Sequence, residues 1–137
     1  MTLQGAPQLQ RRLRAVQQAP KGMGRDWGKE TAQLARGRVA KRTGATARSI
    51  RLQSASDNGA VVVAGGAARF LEGGVKRHDI EARGRVLRYT MNGRPAFGKR
   101  VHNPGMRKQP FLRPAALEAY RKLSPGKRVV DAWNKAA

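Results

Sequence analysis

One stretch near the C-terminus, in which prolines recur, constrains the fold of this chain more than any other feature. We call Val101–Glu118 the clamp; within it, Pro104 restricts its own φ and Gly105 can adopt the positive φ of a type II turn. Pro110 has no N–H to donate and suits a helix start, and Phe111 and Leu112 follow it with large apolar side chains. The clamp therefore predicts a strand end, a turn, a short basic loop and a helix start, in that order.

The apolar side chains of the clamp have two alternative roles. Phe111 and Leu112 either enter a neighbouring subunit or close the core of their own domain, and burial of such a side chain contributes about 1.5–3 kcal/mol in either place. We prefer the own-core alternative for Phe111. For Leu112 both alternatives stay open.

Apolar residues recur at helical spacing at both ends of the chain. The spacing predicts a short helix over 9–18, ended by Pro20, and a longer helix over about 21–42 with Gly44 just past its C-terminus. Glycines within the long helix each cost roughly 1 kcal/mol relative to alanine, so this helix needs tertiary contacts. A third helix is expected after Pro110, and Ser124-Pro125 predicts the start of a final one.

Between these helices, alternating residues and turn signals predict two β-hairpins. The first joins 49–53 to 60–64 through Asp57-Asn58-Gly59, and the second joins 85–91 to 95–101 through Asn92-Gly93. Residues 78–81 also have an extended pattern. Together the elements predict an α+β fold, in which a small antiparallel sheet of four to five strands packs against a long N-terminal helix and C-terminal helices.

The length of 137 residues predicts a single domain. Within it we expect a short N-terminal helix or arm over 1–20, a core over 21–123 and a C-terminal helix over 124–137. The chain contains 29 Lys and Arg against 8 Asp and Glu, a net charge of +21. Because repulsion at this charge opposes a compact isolated monomer, we expect a polyanion or an acidic neighbouring subunit as partner.

The sequence offers little support for chemistry at a site. The chain has no cysteine, so disulfides, thiolate zinc sites and cysteine nucleophiles are excluded. His78 and His102, with Asp79 and Glu81 nearby, do not have the spacing of a zinc ligand set, and we expect these histidines to form structural hydrogen bonds. We therefore expect no enzymatic activity and no catalytic, cofactor or metal site.

The glycine pairs do not indicate a phosphate-binding loop. Neither pair, 65–66 or 73–74, is followed by the Gly-Lys-Ser/Thr of such a loop, so both indicate turns.

The apolar residues of the chain bear on its localisation. The N-terminus has no apolar segment of the signal-peptide kind, and no run of about 18 apolar residues could span a membrane. We expect a protein made in the cytosol that stays there or enters a particle assembled there, with no membrane partner.

The long N-terminal helix carries a basic stripe, which we define as Arg25, Lys29 and Arg36. At 100° per residue these side chains align on one face, away from the apolar face around Trp27. The stripe is either a surface that faces passing DNA and binds phosphate without reading sequence, or a solvated face with no ligand. Both alternatives stay open.

Four landmarks in fixed order resemble the neck proteins (head–tail joining or tail-completion proteins) of long-tailed bacteriophages. They are Arg42-Thr43-Gly44 with Ser49-Ile50, Ala68-Arg69-Phe70-Leu71-Glu72-Gly73-Gly74, the segment 78–87, and the clamp from Val101-His102 through Pro104-Gly105 to Pro110-Phe111-Leu112-Arg113-Pro114-Ala115. The resemblance covers about 23–120. The chain departs from the family at Ala68-Arg69, at Gly73-Gly74 and at Asn103, which splits the family's His-Pro-Gly.

The resemblance implies a structural virion protein that forms a homo-oligomeric ring in the neck that joins the DNA-filled head to the tail. Six or twelve copies would suit the portal axis. The partners would be portal-side and tail-side phage proteins and, by non-specific phosphate contacts, phage double-stranded DNA. Subunits would pack near Phe70, Leu71 and Phe111. Glu72 is either an ion-pair partner of the next subunit or a solvated carboxylate.

A second hypothesis comes from the charge alone. A free, sequence-independent nucleic-acid-binding protein would have the same excess of Lys and Arg. Such a protein would remain monomeric and bind duplex DNA tightly at physiological salt, whereas a neck subunit would form rings and bind DNA weakly.

Overall fold

The computed structural model describes residues 4–137, and these divide into two compact units. The first unit contains the described residues up to Ala68 together with Pro110–Ala137, and the second contains Arg69–Gln109. In chain order the elements are α1 (Ala6–Gln18), α2 (Met23–Arg38), α3 (Ala45–Ser49), β1 (Arg51–Ala55), β2 (Ala60–Val63), α4 (Ala68–Gly73), β3 (His78–Glu81), β4 (Leu87–Met91), β5 (Arg94–Gly98), β6 (Arg100–Asn103), α5 (Leu112–Leu123) and α6 (Pro125–Lys135).

Helix α2 is the centre of the first unit, where it packs against α5 and against the β1–β2 hairpin. Its buried positions are small, namely Gly24, Gly28, Thr31, Ala32 and Ala35, and α5 buries Ala115 and Ala119. Small side chains allow the two helix backbones to approach closely. Helix α1 packs against α6 in the same unit.

Two glycines set how closely α2 approaches the hairpin. A methyl group at Gly28 would lie 2.5 Å from Leu52 Cδ1 and 2.7 Å from Ala60 Cβ. A methyl group at Gly24 would collide with the carbonyl oxygen of Ser56 and lie 2.6 Å from the Gly59 nitrogen. The glycines that weaken α2 as an isolated helix are therefore the residues through which it contacts the hairpin.

The N-terminus of α2 is also held by the hairpin turn. Asp57 accepts hydrogen bonds from the backbone of this helix start, through its carboxylate from Gly22 N (2.8 Å) and through its carbonyl from Gly24 N (3.2 Å). A carboxylate at a helix N-terminus satisfies an unpaired N–H and is stabilised by the helix dipole.

Aromatic and charged contacts join α2 to the C-terminal helices. Trp27 Nε1 donates a hydrogen bond to Ala116 O (2.8 Å), and its ring meets Tyr120 edge-on at 5.9 Å. Three ion pairs lie around these contacts: Arg38 with Glu118, Lys122 with Glu30, and Arg128 with Asp26.

The second unit is dominated by a two-stranded antiparallel ribbon. Strand β3 pairs with β6 and β4 pairs with β5, and Ala82 N also donates to Lys99 O (2.8 Å). Glu81 lies opposite Arg100 and Leu87 opposite Gly98, so residues 83–86 have no partner on the other strand and form a bulge. We call the two ladders and this bulge the β-ribbon.

A tight turn closes one end of the β-ribbon, and a pair of backbone hydrogen bonds closes the other. At the tip, Asn92 and Gly93 both have positive φ, 51° and 77°, as a type I′ hairpin turn requires. At the base, Val75 and Met106 exchange two backbone hydrogen bonds of 2.8 Å. Gly105, with φ 82°, packs so closely that a methyl group there would lie 2.8 Å from Arg77 N.

The predicted α+β fold is confirmed, but its sheet differs from the prediction. The strands form three separate two-stranded ladders, β1–β2, β3–β6 and β4–β5, where we expected one sheet of four to five strands. Both predicted hairpin turns are present. The alternation of a strand indicates which of its faces is apolar, but not which other strand pairs with its edge.

Several element boundaries also differ from the prediction. Helix α2 ends at Arg38, because Val39 takes an extended conformation that buries its side chain. Gly44 is the N-cap of α3, with φ 75°, where we placed it after the end of α2. Ser49 lies in α3 and not in β1; its hydroxyl bonds to Thr46 O (2.6 Å) and accepts a bond from Gly65 N (2.9 Å).

The clamp does not act as one local structure. Pro104 and Gly105 lie in the second unit, whereas Pro110, Phe111 and Leu112 belong to the first. The turn at Gly105 and the helix start after Pro110 are both present as predicted. Ser124 is the N-cap of α6, but its hydroxyl donates to Arg121 O (2.9 Å) and makes no capping bond.

Candidate subunit and nucleic-acid interfaces

Acidic side chains are scarce, and those of the first unit all have partners within it. Asp26, Glu30, Glu118 and Asp131 form ion pairs with Arg128, Lys122, Arg38 and Lys127, and Asp57 binds the start of α2. With 8 Asp and Glu against 29 Lys and Arg, most of these cations cannot each have an acid of their own. The resulting positive surface favours a polyanionic ligand.

The basic stripe on α2 is only partly available to a ligand. Arg25 and Lys29 are exposed. Arg36 donates two hydrogen bonds to Ile50 O, from Nε (3.1 Å) and Nη2 (2.7 Å), and so ties α2 to the start of β1. Its alignment with Arg25 and Lys29 in sequence does not reveal this contact, since Ile50 lies outside α2, between α3 and β1.

The apolar residues of the clamp and of α4 are placed very differently. Phe111 is 1% exposed and fills the core of the first unit, which is the own-core alternative. Leu112 is half-buried beside Trp27 and Thr31, where it lines a groove. Phe70 is 47% exposed with the Arg69 guanidinium 5.6 Å from its ring centre, whereas Leu71 is buried and Glu72 is half-buried.

A second apolar groove of the first unit is also lined by Trp27. It measures about 250 Å³ and is lined by Met23, Tyr120, Leu123 and the prolines 20 and 125. Both grooves are open and mostly apolar, so they offer contact area for a partner.

A charged cluster lies on one face of the β3–β6 ladder. Asp79 accepts hydrogen bonds from His102 Nδ1 (2.8 Å) and Arg100 Nη2 (2.6 Å), and Glu81 lies 3.9 Å from Arg100 Nε. The bond from His102 is the main cause that lowers the pKa of Asp79; desolvation opposes it, and Arg100 lowers the pKa further. His78 Nδ1 contacts Lys76 O (2.9 Å), so both histidines make hydrogen bonds of a structural kind.

The basic residues of the β-ribbon were not among the predicted site residues. We define the distal ribbon as residues 83–99; it contains no acid, and none follows until Glu118. This acid-free run was visible in the sequence, but its arrangement on a two-stranded ribbon was not. The Lys and Arg side chains of the distal ribbon are exposed: Arg83, Arg85, Arg88, Arg94 and Lys99.

Within residues 4–137, no three His, Asp or Glu side chains come close enough together to hold a metal ion. In the same part of the chain, no helix has the length and apolar character needed to cross a membrane. Exposed charge on the distal ribbon, and exposed apolar area at Phe70 and in the grooves around Trp27, make these the candidate binding sites. Comparisons with protein families, with characterised proteins and with solved structures found no significant match to this chain.

Proposed function

We propose that this protein is a structural subunit of a ring in the neck of a tailed bacteriophage, where it joins the DNA-filled head to the tail. The ring would surround the DNA passage, and its main contacts with DNA would be to phosphate. The proposal rests on the resemblance of the four landmarks, on the net charge and on the make-up of the second unit.

The second unit carries the argument for self-association. Leu71 is its one buried residue among 69–109, and apolar side chains outside the distal ribbon, such as Phe70 and Ile80, remain exposed. An isolated two-stranded ribbon is marginally stable in water, and unpaired strand edges readily accept another chain. Neighbouring copies would cover these apolar side chains and so complete the stability of the unit.

The excess of positive charge supports the DNA passage. Because the acids of the first unit are engaged within it, the surplus of Lys and Arg is left for an external polyanion. Contacts to phosphate are individually weak, numerous and sensitive to salt. Such contacts would let DNA move past the ring.

Substitution at Phe70 tests the ring. We expect the wild-type protein to form rings that light scattering and negative-stain electron microscopy detect, and Phe70→Asp to remain monomeric with an unchanged circular dichroism spectrum. Phe111→Asp should instead unfold the first unit, because a charge would replace a core side chain. Leu117→Asp, at a side chain 54% exposed on α5, is the matched control and should still form rings.

A wild-type protein that stays monomeric at all concentrations and binds duplex DNA tightly at physiological salt would contradict the ring. That result would favour the second hypothesis, a free nucleic-acid-binding protein. The charge of the distal ribbon is compatible with this alternative as well.

A further inference from the structure

We propose that the distal ribbon is a binding site for duplex DNA, and that it lies within a groove of the duplex with its basic side chains on the phosphates of both walls. The inference rests on the proposed function, which supplies duplex DNA as the ligand. It places the principal DNA contact on the second unit and not on the basic stripe of α2.

Unbalanced charge is the first argument. The acids nearest to the distal ribbon in sequence, Asp79 and Glu81, both lie beside Arg100, outside it. In the described part of the chain Arg83, Arg85, Arg88 and Arg94 form no ion pair with any acid. By contrast, the α2 stripe alternates with Asp26 and Glu30, and Arg36 is bonded to a carbonyl.

The directions of the side chains are the second argument. Arg88 lies opposite Phe97 and Arg94 lies opposite Met91 in the β4–β5 register. Opposed residues share a face and successive residues alternate, so Arg88 and Arg94 are on opposite faces of the ribbon. Arg83 and Arg85 extend from the bulge, which has no partner strand.

This distribution fits a groove better than a flat surface. A flat anionic surface would meet the cations of one face and leave those of the other face in water. A duplex groove has phosphates on both walls, and the major groove, about 12 Å wide, admits a two-stranded antiparallel ribbon. Because arginine and lysine can contact phosphate wherever it occurs, we expect binding that does not depend on sequence.

The tip supplies apolar contacts as well. Phe97 is 64% exposed and Met91 is 59% exposed, with Pro95 between them in sequence. In the major groove, side chains of these types can lie against base edges, where thymine methyl groups are exposed, while the arginines contact phosphate. A second copy of this chain could also cover them, and the experiment is designed to separate these two partners.

The main test removes charge from the distal ribbon. One variant carries Arg83→Gln, Arg85→Gln, Arg88→Gln and Arg94→Gln, and a control carries an equal charge loss on exposed helical residues, Arg11→Gln, Arg14→Gln, Arg25→Gln and Lys29→Gln. Fluorescence anisotropy measures the affinity for a 30-base-pair duplex over a range of salt. Removal of one phosphate contact reduces the slope of log affinity against log salt by about 0.9, so we expect a reduction of about 3–4 for the ribbon variant and of less than about 1 for the control.

A lysine variant of the same ribbon positions keeps the charge and should keep most of the salt slope. Equal reductions in the ribbon variant and the control would overturn the inference, since total charge alone would then explain binding. A ribbon variant with unchanged DNA binding would also overturn it, whether or not that variant still forms rings.

Assembly is measured on the same proteins by light scattering. Rings of the ribbon variant with weakened DNA binding support the inference and leave the proposed function intact. If the wild type never forms rings while its DNA binding depends on the ribbon, the proposed function fails and the ribbon site stands.

A second measurement does not depend on how the glutamine variant folds. A photo-crosslinking amino acid replaces Phe97 in one protein and Leu117 in the other, and both are irradiated with duplex DNA. We expect a DNA crosslink from position 97 and none from position 117. Crosslinks from position 97 to another copy of the protein alone would overturn the inference.

Discussion

At the scale of single residues, the glycines of α2 weaken the isolated helix, but two of them allow it to pack in the folded protein. Gly24 and Gly28 lie against the β1–β2 hairpin, whereas a methyl group at Gly37 would meet no atom within 4 Å. Helix propensity favours alanine at all three positions by about 1 kcal/mol. Packing against the hairpin opposes alanine at Gly24 and Gly28.

Alanine substitutions therefore make a matched pair within one helix. We expect Gly24→Ala to destabilise the protein by about 1–3 kcal/mol, because the new methyl group meets backbone atoms that cannot rotate away. Gly37→Ala should stabilise it by up to about 1 kcal/mol. Urea unfolding measures both, and a stabilised Gly24→Ala protein would mean that α2 does not contact the hairpin turn as described.

At the scale of elements, the β3–β6 ladder depends on the charge of Asp79. Its pKa is lowered from the ordinary 3.8, chiefly by the His102 hydrogen bond, so the folded state favours the ionised carboxylate. A depressed pKa contributes stability that is present above the unfolded pKa and is lost as the pH falls through the folded value.

We accordingly expect the amide protons of β3 and β6 to exchange faster with solvent as the pH falls below about 3.8, after correction for the intrinsic exchange rate. Asp79→Asn should remove this pH dependence, because the amide does not ionise. Asp131→Asn, which alters an exposed pair within α6, is the control and should leave the ladder unchanged. An Asp79→Asn protein with the wild-type pH profile would contradict the assignment.

At the scale of the whole molecule, the net positive charge dominates the electrostatic contribution to stability. Repulsion among unmatched Lys and Arg opposes compaction, and salt shortens its range from about 30 Å at 0.01 M to about 8 Å at 0.15 M. Salt also screens the exposed ion pairs, but these are worth about 0–1 kcal/mol each, so we expect the relief of repulsion to be the larger effect.

The isolated protein should therefore gain stability when salt rises from about 0.01 M to about 0.15 M, by several degrees in melting temperature measured by circular dichroism. The glutamine control variant at Arg11, Arg14, Arg25 and Lys29 carries less charge and should gain less. A melting temperature that falls with salt would show that the ion pairs outweigh the repulsion.

The local sequence predicted the elements better than their assembly. The Asn92-Gly93 turn, the helix start after Pro110 and the two C-terminal helices follow from residues close together in the chain, and the structure has them. The predicted end of α2 was several residues too late, because the burial of Val39 is a tertiary contact that no local signal shows. Local sequence also could not show the hydrogen bond of Arg36, whose partner Ile50 lies outside α2, between α3 and β1.

The sequence by itself determined the type of most elements, the tight turns and the excess of positive charge, because each of these depends on residue identity and on neighbours within a few positions. Only the tertiary structure decided that the strands form separate two-stranded ladders, that Phe111 is buried while Phe70 is exposed, and that the arginines of the distal ribbon point to both faces. These features depend on which distant segments meet, and a periodic pattern reports an apolar face without naming what covers it.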